Sequence, residues 1–140
     1  MANAATLIDG LVLKSSGYTY TGAALSTTAT SYADISSVTS TLTVAAGQRA
    51  LVMFTANCSN SNTGVGLAFQ IVEDGTARQS SEVFFHTTST LGNIKQVAMI
   101  YQATAPSAGS HTWKVQWKNI TSATGYLGPH TFNVILFQHQ

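Results

Sequence analysis

The chain has 140 residues, which fits one domain with a single core and no need for disulfides. Only 8% of the residues are charged and the net charge is +1, whereas an ordinary soluble domain is about 25% charged. The six Lys and Arg are spread along the chain, so the concentrated basic surface that nucleic-acid binding needs is missing. A surface with so little charge hardly repels its own copies, which is typical of a protein that works in an assembly.

The N-terminus resembles neither a signal peptide nor a membrane span. No basic segment precedes a long apolar stretch, and Asp9 interrupts the nearby apolar residues. We therefore expect a protein that is made in the cytoplasm and used without export, and that has no membrane partner.

Residues 1–30 lack sustained periodicity, and we interpret them as an extended N-terminal arm. The arm contains one apolar island, formed by Leu7, Ile8, Leu11, Val12 and Leu13. A purely disordered tail would not need these side chains, so one interpretation is an arm that becomes ordered on a neighbouring subunit. The other is a frayed terminus with one short strand.

From residue 31 onward, apolar stretches of strand length recur about every ten residues between Gly, Asn, Asp or Pro clusters. The predicted strands are Ser31–Ile35, Val38–Val44, Arg49–Cys58, Val65–Glu73, Ala77–Phe85, Ile94–Gln102, His111–Lys118 and Thr131–Gln138. The Asp74-Gly75 pair is a strong signal for a two-residue hairpin. The recurring strands and the hairpin signal together predict an all-β fold, an eight-stranded jelly-roll-like β-sandwich over residues 31–140.

Most of these strands alternate between apolar and polar residues, which indicates one buried face. On this pattern Trp113, Val115 and Trp117 face the core, and Cys58 is a buried, inert thiol.

Three segments are instead apolar on both faces, namely 49–54, 94–100 and 134–137. A strand of a two-sheet sandwich has only one face for the core, so the second face of each segment needs other cover. We expect a subunit interface that includes Leu51 and Met53; cover by a loop or by the arm is the alternative.

No arrangement of residues indicates catalysis, a metal site or a cofactor, and we expect the protein not to be an enzyme. Glu73 and Asp74 lie in the predicted hairpin turn, where Asp is favoured for its local hydrogen bonds. The four His do not have the spacing of zinc ligands, and no Gly-x-Ser-x-Gly is present.

The composition of one loop indicates an alternative function. Tyr126 stands among Asn, Thr and Gly in the stretch that begins at Asn119. A flat ring beside neutral polar groups is what a carbohydrate-binding surface needs. Tyr126 and Asn119 are therefore candidate ligand-binding residues, although an ordinary polar loop would have the same composition.

Four motifs resemble small bacteriophage virion proteins with jelly-roll domains. They are a Thr-rich start (Ser26-Thr-Thr-Ala-Thr-Ser-Tyr-Ala-Asp-Ile35), a Gly-led apolar strand (Gly47 to Phe54), an Asp-Gly hairpin (Val72-Glu-Asp-Gly75) and a strand that follows a Pro-x-x-Gly turn (Ala105-Pro-Ser-Ala-Gly-Ser-His-Thr-Trp-Lys-Val-Gln-Trp117). In that family they recur in this order in head decoration proteins and tail-fibre tips. The similarity covers roughly residues 26–138.

The resemblance implies a structural component of the virion that forms a homo-oligomer, with a trimer favoured, and binds the major capsid protein or other virion subunits. Because no shaft precedes the domain, we expect a capsid decoration (cement) protein that stabilises the shell. A receptor- or carbohydrate-binding tip of a tail fibre is the alternative. The resemblance implies no catalytic residues.

Overall fold

Nine strands make up the regular structure of the described residues. The computed structural model describes residues 11–22, 24–85, 94–103 and 106–139. The strands are β1 Leu11–Thr21, β2 Leu25–Thr27, β3 Ala33–Val44, β4 Arg49–Asn60, β5 Val65–Glu73, β6 Thr76–Phe85, β7 Lys95–Ala103, β8 Gly109–Asn119 and β9 Gly125–His139. No helix occurs in these four ranges.

The strands form two antiparallel sheets. Sheet I has the order β1-β9-β4-β7, and the three-residue β2 also pairs with β9; sheet II has the order β3-β8-β5-β6. Without β2, each sheet has four long strands, and the chain crosses between the sheets after β1, β3, β4, β6, β7 and β8. This is a jelly roll, and the predicted β-sandwich fold is confirmed.

The observed strands differ from the predicted ones in two places. The predicted strands Ser31–Ile35 and Val38–Val44 belong to one strand, β3, whose register on β8 shifts between Asp34 and Thr39. The eighth long strand is β1, which lies in the segment interpreted as an arm and pairs along its length with β9. Residues 1–10 lie outside the described residues, and the domain boundary at residue 30 stays a prediction.

The core lies between the inner faces of the two sheets. Phe54 of sheet I packs on Phe69 of sheet II with ring centroids 6.0 Å apart, and Phe69 stacks on Trp117 at 6.4 Å. Trp113, Val115 and Trp117 are buried, as their alternation predicts. Cys58 is also buried, and burial raises the pKa of its thiol to about 12, so the thiol stays protonated and unreactive.

The predicted hairpin is confirmed between β5 and β6. Asp74 and Gly75 have φ angles of 48° and 82°, and Glu73 pairs directly with Thr76. Two central residues with positive φ define the type I′ turn, whose twist matches that of the flanking strands.

Substitutions at Gly125 and Gly128 compare a crowded and an open position of the same strand. A Cβ on Gly125 would overlap Leu67, which is fully buried, and would lie 3.0 Å from Oδ1 of Asn119. We expect Gly125→Ala to lower the free energy of unfolding by about 1–3 kcal/mol, the usual cost of overpacking. A Cβ on Gly128 would have only an ordinary contact with Asn57, at 3.5 Å. Gly128→Ala should therefore be tolerated, and urea denaturation of the two variants measures the difference.

Candidate functional site: the outer face of sheet I

The three segments that are apolar on both faces come together in the fold. They belong to β4, β7 and β9, which are adjacent in sheet I in the order β9-β4-β7. Their inner residues, including Val52, Phe54 and Val134, fill the core. Their outer residues therefore share one surface, the outer face of sheet I.

Rows of directly paired residues define the apolar half of this face. Leu51 of β4 pairs with Ile135 of β9, and Met53 pairs with Ile100 of β7. Side chains paired in this way stand about 4.5–5.5 Å apart. With Phe137, which pairs with Arg49 at the end of the face, these five apolar residues form what we call the apolar rows: Leu51, Met53, Ile100, Ile135 and Phe137.

The apolar rows face away from the core. Ile100 is 62% exposed, and the other four are half-buried. Arg49 is the one charged residue among the described outward-facing side chains of β4, β7 and β9. The surface is therefore apolar and nearly free of charge, which is typical of the centre of a protein–protein contact.

The opposite half of the face contains a groove. Ala56 of β4 pairs with His130 of β9, but Cys58 pairs with Leu127, so Asn57 alone stands opposite Gly128 and Pro129. This is a β-bulge, which bends its strand locally. Two depressions, of about 400 Å³ and about 200 Å³, adjoin at the bulge, and both are lined by Asn57 and Pro129. We call them together the bulge groove.

Tyr126 and Asn119, the two candidate ligand-binding residues, have different surroundings. Tyr126 is 42% exposed and lines the smaller depression of the bulge groove. Asn119 is fully buried. Its amide donates to the Thr27 carbonyl at 2.8 Å and accepts from Nδ2 of Asn60 at 3.0 Å. The Asn119 side chain therefore ties β8 to β2 and β4 inside the protein and offers no surface to a ligand.

Some of the predicted interface residues lie on the outer face of sheet I, and others belong to β1. Leu51 and Met53 lie in the apolar rows. Leu11, Val12 and Leu13 belong to β1, with their backbones paired to His139, Gln138 and Phe137. Leu7 and Ile8 lie outside the described residues. Whether these residues form an interface stays a prediction.

A buried carboxylate at the other end of the sandwich was not predicted from the sequence. Glu73 is 4% exposed and accepts hydrogen bonds from Nε1 of Trp113 at 3.2 Å and from the Tyr101 hydroxyl at 3.1 Å. Nε of Arg78 lies 2.9 Å from the same carboxylate. Because Tyr101 is in sheet I and Trp113 in sheet II, Glu73 joins the two sheets. Burial and the Glu73 charge raise the pKa of Tyr101, so its hydroxyl keeps the proton that it donates.

His111 lies beside this carboxylate with Asp74 and Ser107, in an order that resembles a catalytic triad. Nδ1 of His111 is 2.6 Å from Oδ2 of Asp74, and Nε2 is 2.8 Å from the Ser107 carbonyl and 3.4 Å from the Ser107 hydroxyl. A carbonyl and a carboxylate only accept, so this geometry suits an imidazolium, in which both ring nitrogens donate. Nε2 is closer to the Ser107 carbonyl than to the Ser107 hydroxyl, whereas a triad requires a general base that accepts the hydroxyl proton.

The described residues contain no group of three or more His, Cys, Asp and Glu side chains that could hold a metal ion. In the same part of the chain, no helix has the length and apolar character needed to cross a membrane.

No protein-family model matches the chain, and no curated protein matches it. Among solved structures, an insecticidal delta-endotoxin from Bacillus thuringiensis is similar at 15% identity and a TM-score of 0.46, over 78% of this chain and 19% of that one. A chain from the Gt strain of infectious bursal disease virus is similar at 13% identity and a TM-score of 0.41, over 89% and 38%. TmCBM61, solved in complex with beta-1,4-galactotriose, is similar at 12% identity and a TM-score of 0.37, over 82% and 86%. Viral and carbohydrate-binding proteins are thus both among the similar chains, and we take no function from them.

The buried role of Asn119 predicts a loss of stability on substitution. Asn119→Ala would leave Nδ2 of Asn60 and the Thr27 carbonyl without their partners, which costs about 1–3 kcal/mol for a buried group. Asn57→Ala is the matched control, because Asn57 is half-buried and its side chain has no hydrogen bond to any described residue. Urea denaturation should show a lower free energy of unfolding for Asn119→Ala only, and equal stability of the two variants would contradict this role.

The His111 contacts predict a stability that depends on pH. Burial lowers the pKa of His111, but hydrogen bonds to Ser107 and Asp74 and the charges of Asp74 and Glu73 outweigh it, so the net pKa is raised above 6.5. The stabilisation that the His111 imidazolium contributes is therefore complete below 6.5, the pKa of His111 in the unfolded chain. It is lost as the pH rises through the higher pKa of His111 in the folded protein. The pKa of Asp74 is lowered, chiefly by the Thr112 backbone hydrogen bond, so its own contribution is lost only in acid below 3.8.

The measurement is the free energy of unfolding at about pH 5.5 and at about pH 8.5, for the wild type and for His111→Asn. We expect the wild type to exceed the variant in stability at the lower pH and to lose much of that advantage at the higher one. A constant difference between the two proteins would show that the imidazolium contributes nothing.

Proposed function

We propose that this chain is a structural protein of a phage virion, a capsid decoration protein that binds neighbouring subunits through the apolar rows on the outer face of sheet I. One observation carries the proposal. Three segments that are apolar on both faces lie side by side in one sheet, and their outer residues face away from the core of the described sandwich.

Burial of the apolar rows supplies the binding free energy. Removal of apolar surface from water contributes about 25 cal/mol for each Å². Ile100 is the most exposed of the five residues, at 62%, and it is paired with Met53 near the middle of the face. A partner that covers this pair meets no carboxylate and no Lys on the described outer surface of β4, β7 and β9, so little charge has to be desolvated.

Low charge also allows copies of the chain to stand close together. With a net charge of +1, the copies of a homo-oligomer hardly repel each other. We propose a trimer, in which the apolar rows of one copy meet a different surface of the next copy, because a three-fold contact is heterologous. The N-terminal residues Leu7 and Ile8 supply an apolar counterpart for that contact.

The mechanism is mechanical and involves no catalysis. A protein that binds the major capsid protein only in its assembled form stabilises the shell by mass action. The placement in a virion is supported by the sequence motifs shared with small phage jelly-roll proteins, above all the turn and strand from Ala105 to Trp117.

Charge introduced into the apolar rows tests the proposal. Leu51→Lys and Ile100→Lys each place an ammonium group where a subunit would exclude water. We expect each substitution to raise the dissociation constant of the trimer by at least tenfold. Size-exclusion chromatography with light scattering measures the mass, and co-sedimentation with shells of the same virus's major capsid protein measures shell binding. Thr43→Lys is the matched control, since Thr43 is an exposed strand residue of sheet II.

Circular dichroism has to show that the variants remain folded. The proposal is supported if Leu51→Lys and Ile100→Lys no longer form the trimer or bind shells, while Thr43→Lys still does both. The proposal is contradicted if the wild-type protein is monomeric and does not bind the shells, or if the Ile100→Lys protein assembles normally.

A further inference from the structure

We infer that the bulge groove on the outer face of sheet I is a binding site for a neutral oligosaccharide. The site is separate from the apolar rows and goes beyond the proposed subunit contact.

The groove is built into the sheet by the bulge. Gly128 and Pro129 together stand opposite Asn57, so β9 has one residue more than β4 at this point. A Pro cannot donate to the ladder and is found in strands at edges and bulges, where β-bulges often adjoin functional sites. The two adjoining depressions, of about 400 Å³ and about 200 Å³, reach the range of small-ligand sites.

Polar groups without partners line the groove. Asn57 and Gln96 pair across β4 and β7 and both line the larger depression. Neither side chain has a hydrogen bond to a described residue, whereas Gln70 and Gln116 on sheet II bond to each other at 2.6 Å. A carboxamide carries two donors and an acceptor for hydroxyl groups, so both amides can bind sugar hydroxyls in either direction.

An exposed aromatic ring lies at the end of the same groove. Tyr126 and Ile94 line the smaller depression and are 42% and 65% exposed. A tyrosine ring offers a flat apolar face to the C–H groups of a sugar and a hydroxyl to its polar edge. The combination of one ring with uncharged hydrogen-bonding groups matches the two kinds of surface that a sugar presents.

The electrostatics select a ligand without charge. Among the described residues, no Lys, Arg, Asp or Glu lines either depression. The imidazole in the lining, His130, is 2% exposed and has both nitrogens engaged, with the Gly128 carbonyl at 2.9 Å and the Ser37 hydroxyl at 3.0 Å. The described lining therefore offers no cationic side chain to a sialylated, sulfated or phosphorylated ligand.

The position of the groove disfavours an extended peptide. The floor is β4, which is paired on both sides, with β7 and with β9. Outside the bulge its backbone groups are used in those ladders, so a peptide cannot add to β4 as a further strand. A sugar does not need to add a strand, so this floor suits it.

The experiment uses the full chain and an array of oligosaccharides that includes neutral, sialylated and sulfated members. Isotope-labelled protein is then titrated with the neutral glycan that binds, and the side-chain amide signals of Asn57 and Gln96 are followed by NMR. We expect both amides to shift. We expect Tyr126→Ala to weaken binding about tenfold or more, and Tyr126→Phe, which keeps the ring, to retain most of it. Phe84→Ala is the control, since Phe84 is a 45% exposed aromatic residue on the other sheet.

Binding of neutral glycans that is lost in Tyr126→Ala and in the Asn57→Ala, Gln96→Ala double variant supports the site. An array with no bound glycan, binding of charged glycans alone, or binding that survives both changes overturns it. The groove variants leave the apolar rows intact, so their trimer and shell binding should be normal. Leu51→Lys should conversely retain the glycan, which distinguishes a failure of this inference from a failure of the proposed function.

Discussion

A strand in a two-sheet sandwich has one face for the core and one face for everything else. This constraint follows from the two-residue period of the strand, and the rest of the molecule depends on it. In β4 the inner residues Ala50, Val52 and Phe54 are completely buried, while Leu51 and Met53 between them have no core to enter. The apolar character of those outer positions does not come from the core. It motivates the proposed subunit interface.

The same period explains how much of the fold was predictable. Strand β5 begins and ends at the predicted residues, and the Asp74-Gly75 hairpin has the predicted turn, because both depend on local patterns. Strand order depends on contacts distant in the chain, so the sequence did not show that β9, β4 and β7 are neighbours. Nor did it show β1, whose pairing with β9 joins the two ends of the described chain. Antiparallel pairing of distant segments leaves no local signal.

The candidate site was predicted less well than the fold, for reasons that particular residues show. Tyr126 was identified as an exposed ring, but Asn119 was chosen from the same loop and proved to be fully buried. Composition does not tell an amide that binds a ligand from one that bridges Asn60 and Thr27. One available signal was missed: the pair Gly128-Pro129 interrupts an otherwise regular strand, and this is a mark of a bulge. Glu73 gave no signal, because its burial depends on Trp113 and Tyr101 from other strands.

One cluster of charged residues lies away from the outer face of sheet I. Glu73, Asp74, Arg78 and His111 surround one another at the β5–β6 end, where their contacts hold the two sheets and the hairpin together. Such a cluster has to be satisfied internally, since an unpaired buried charge costs several kcal/mol. On the outer face, Arg49 is the one charged side chain described on β4, β7 and β9; the face is apolar around Met53 and has uncharged hydrogen-bonding groups at Asn57 and Gln96. Both halves lie on β4, where the pairing with β7 and β9 fixes the distance between them. A sheet is stiff on this scale, so a subunit bound at one half and a sugar bound at the other would occupy fixed relative positions without any movement of the domain.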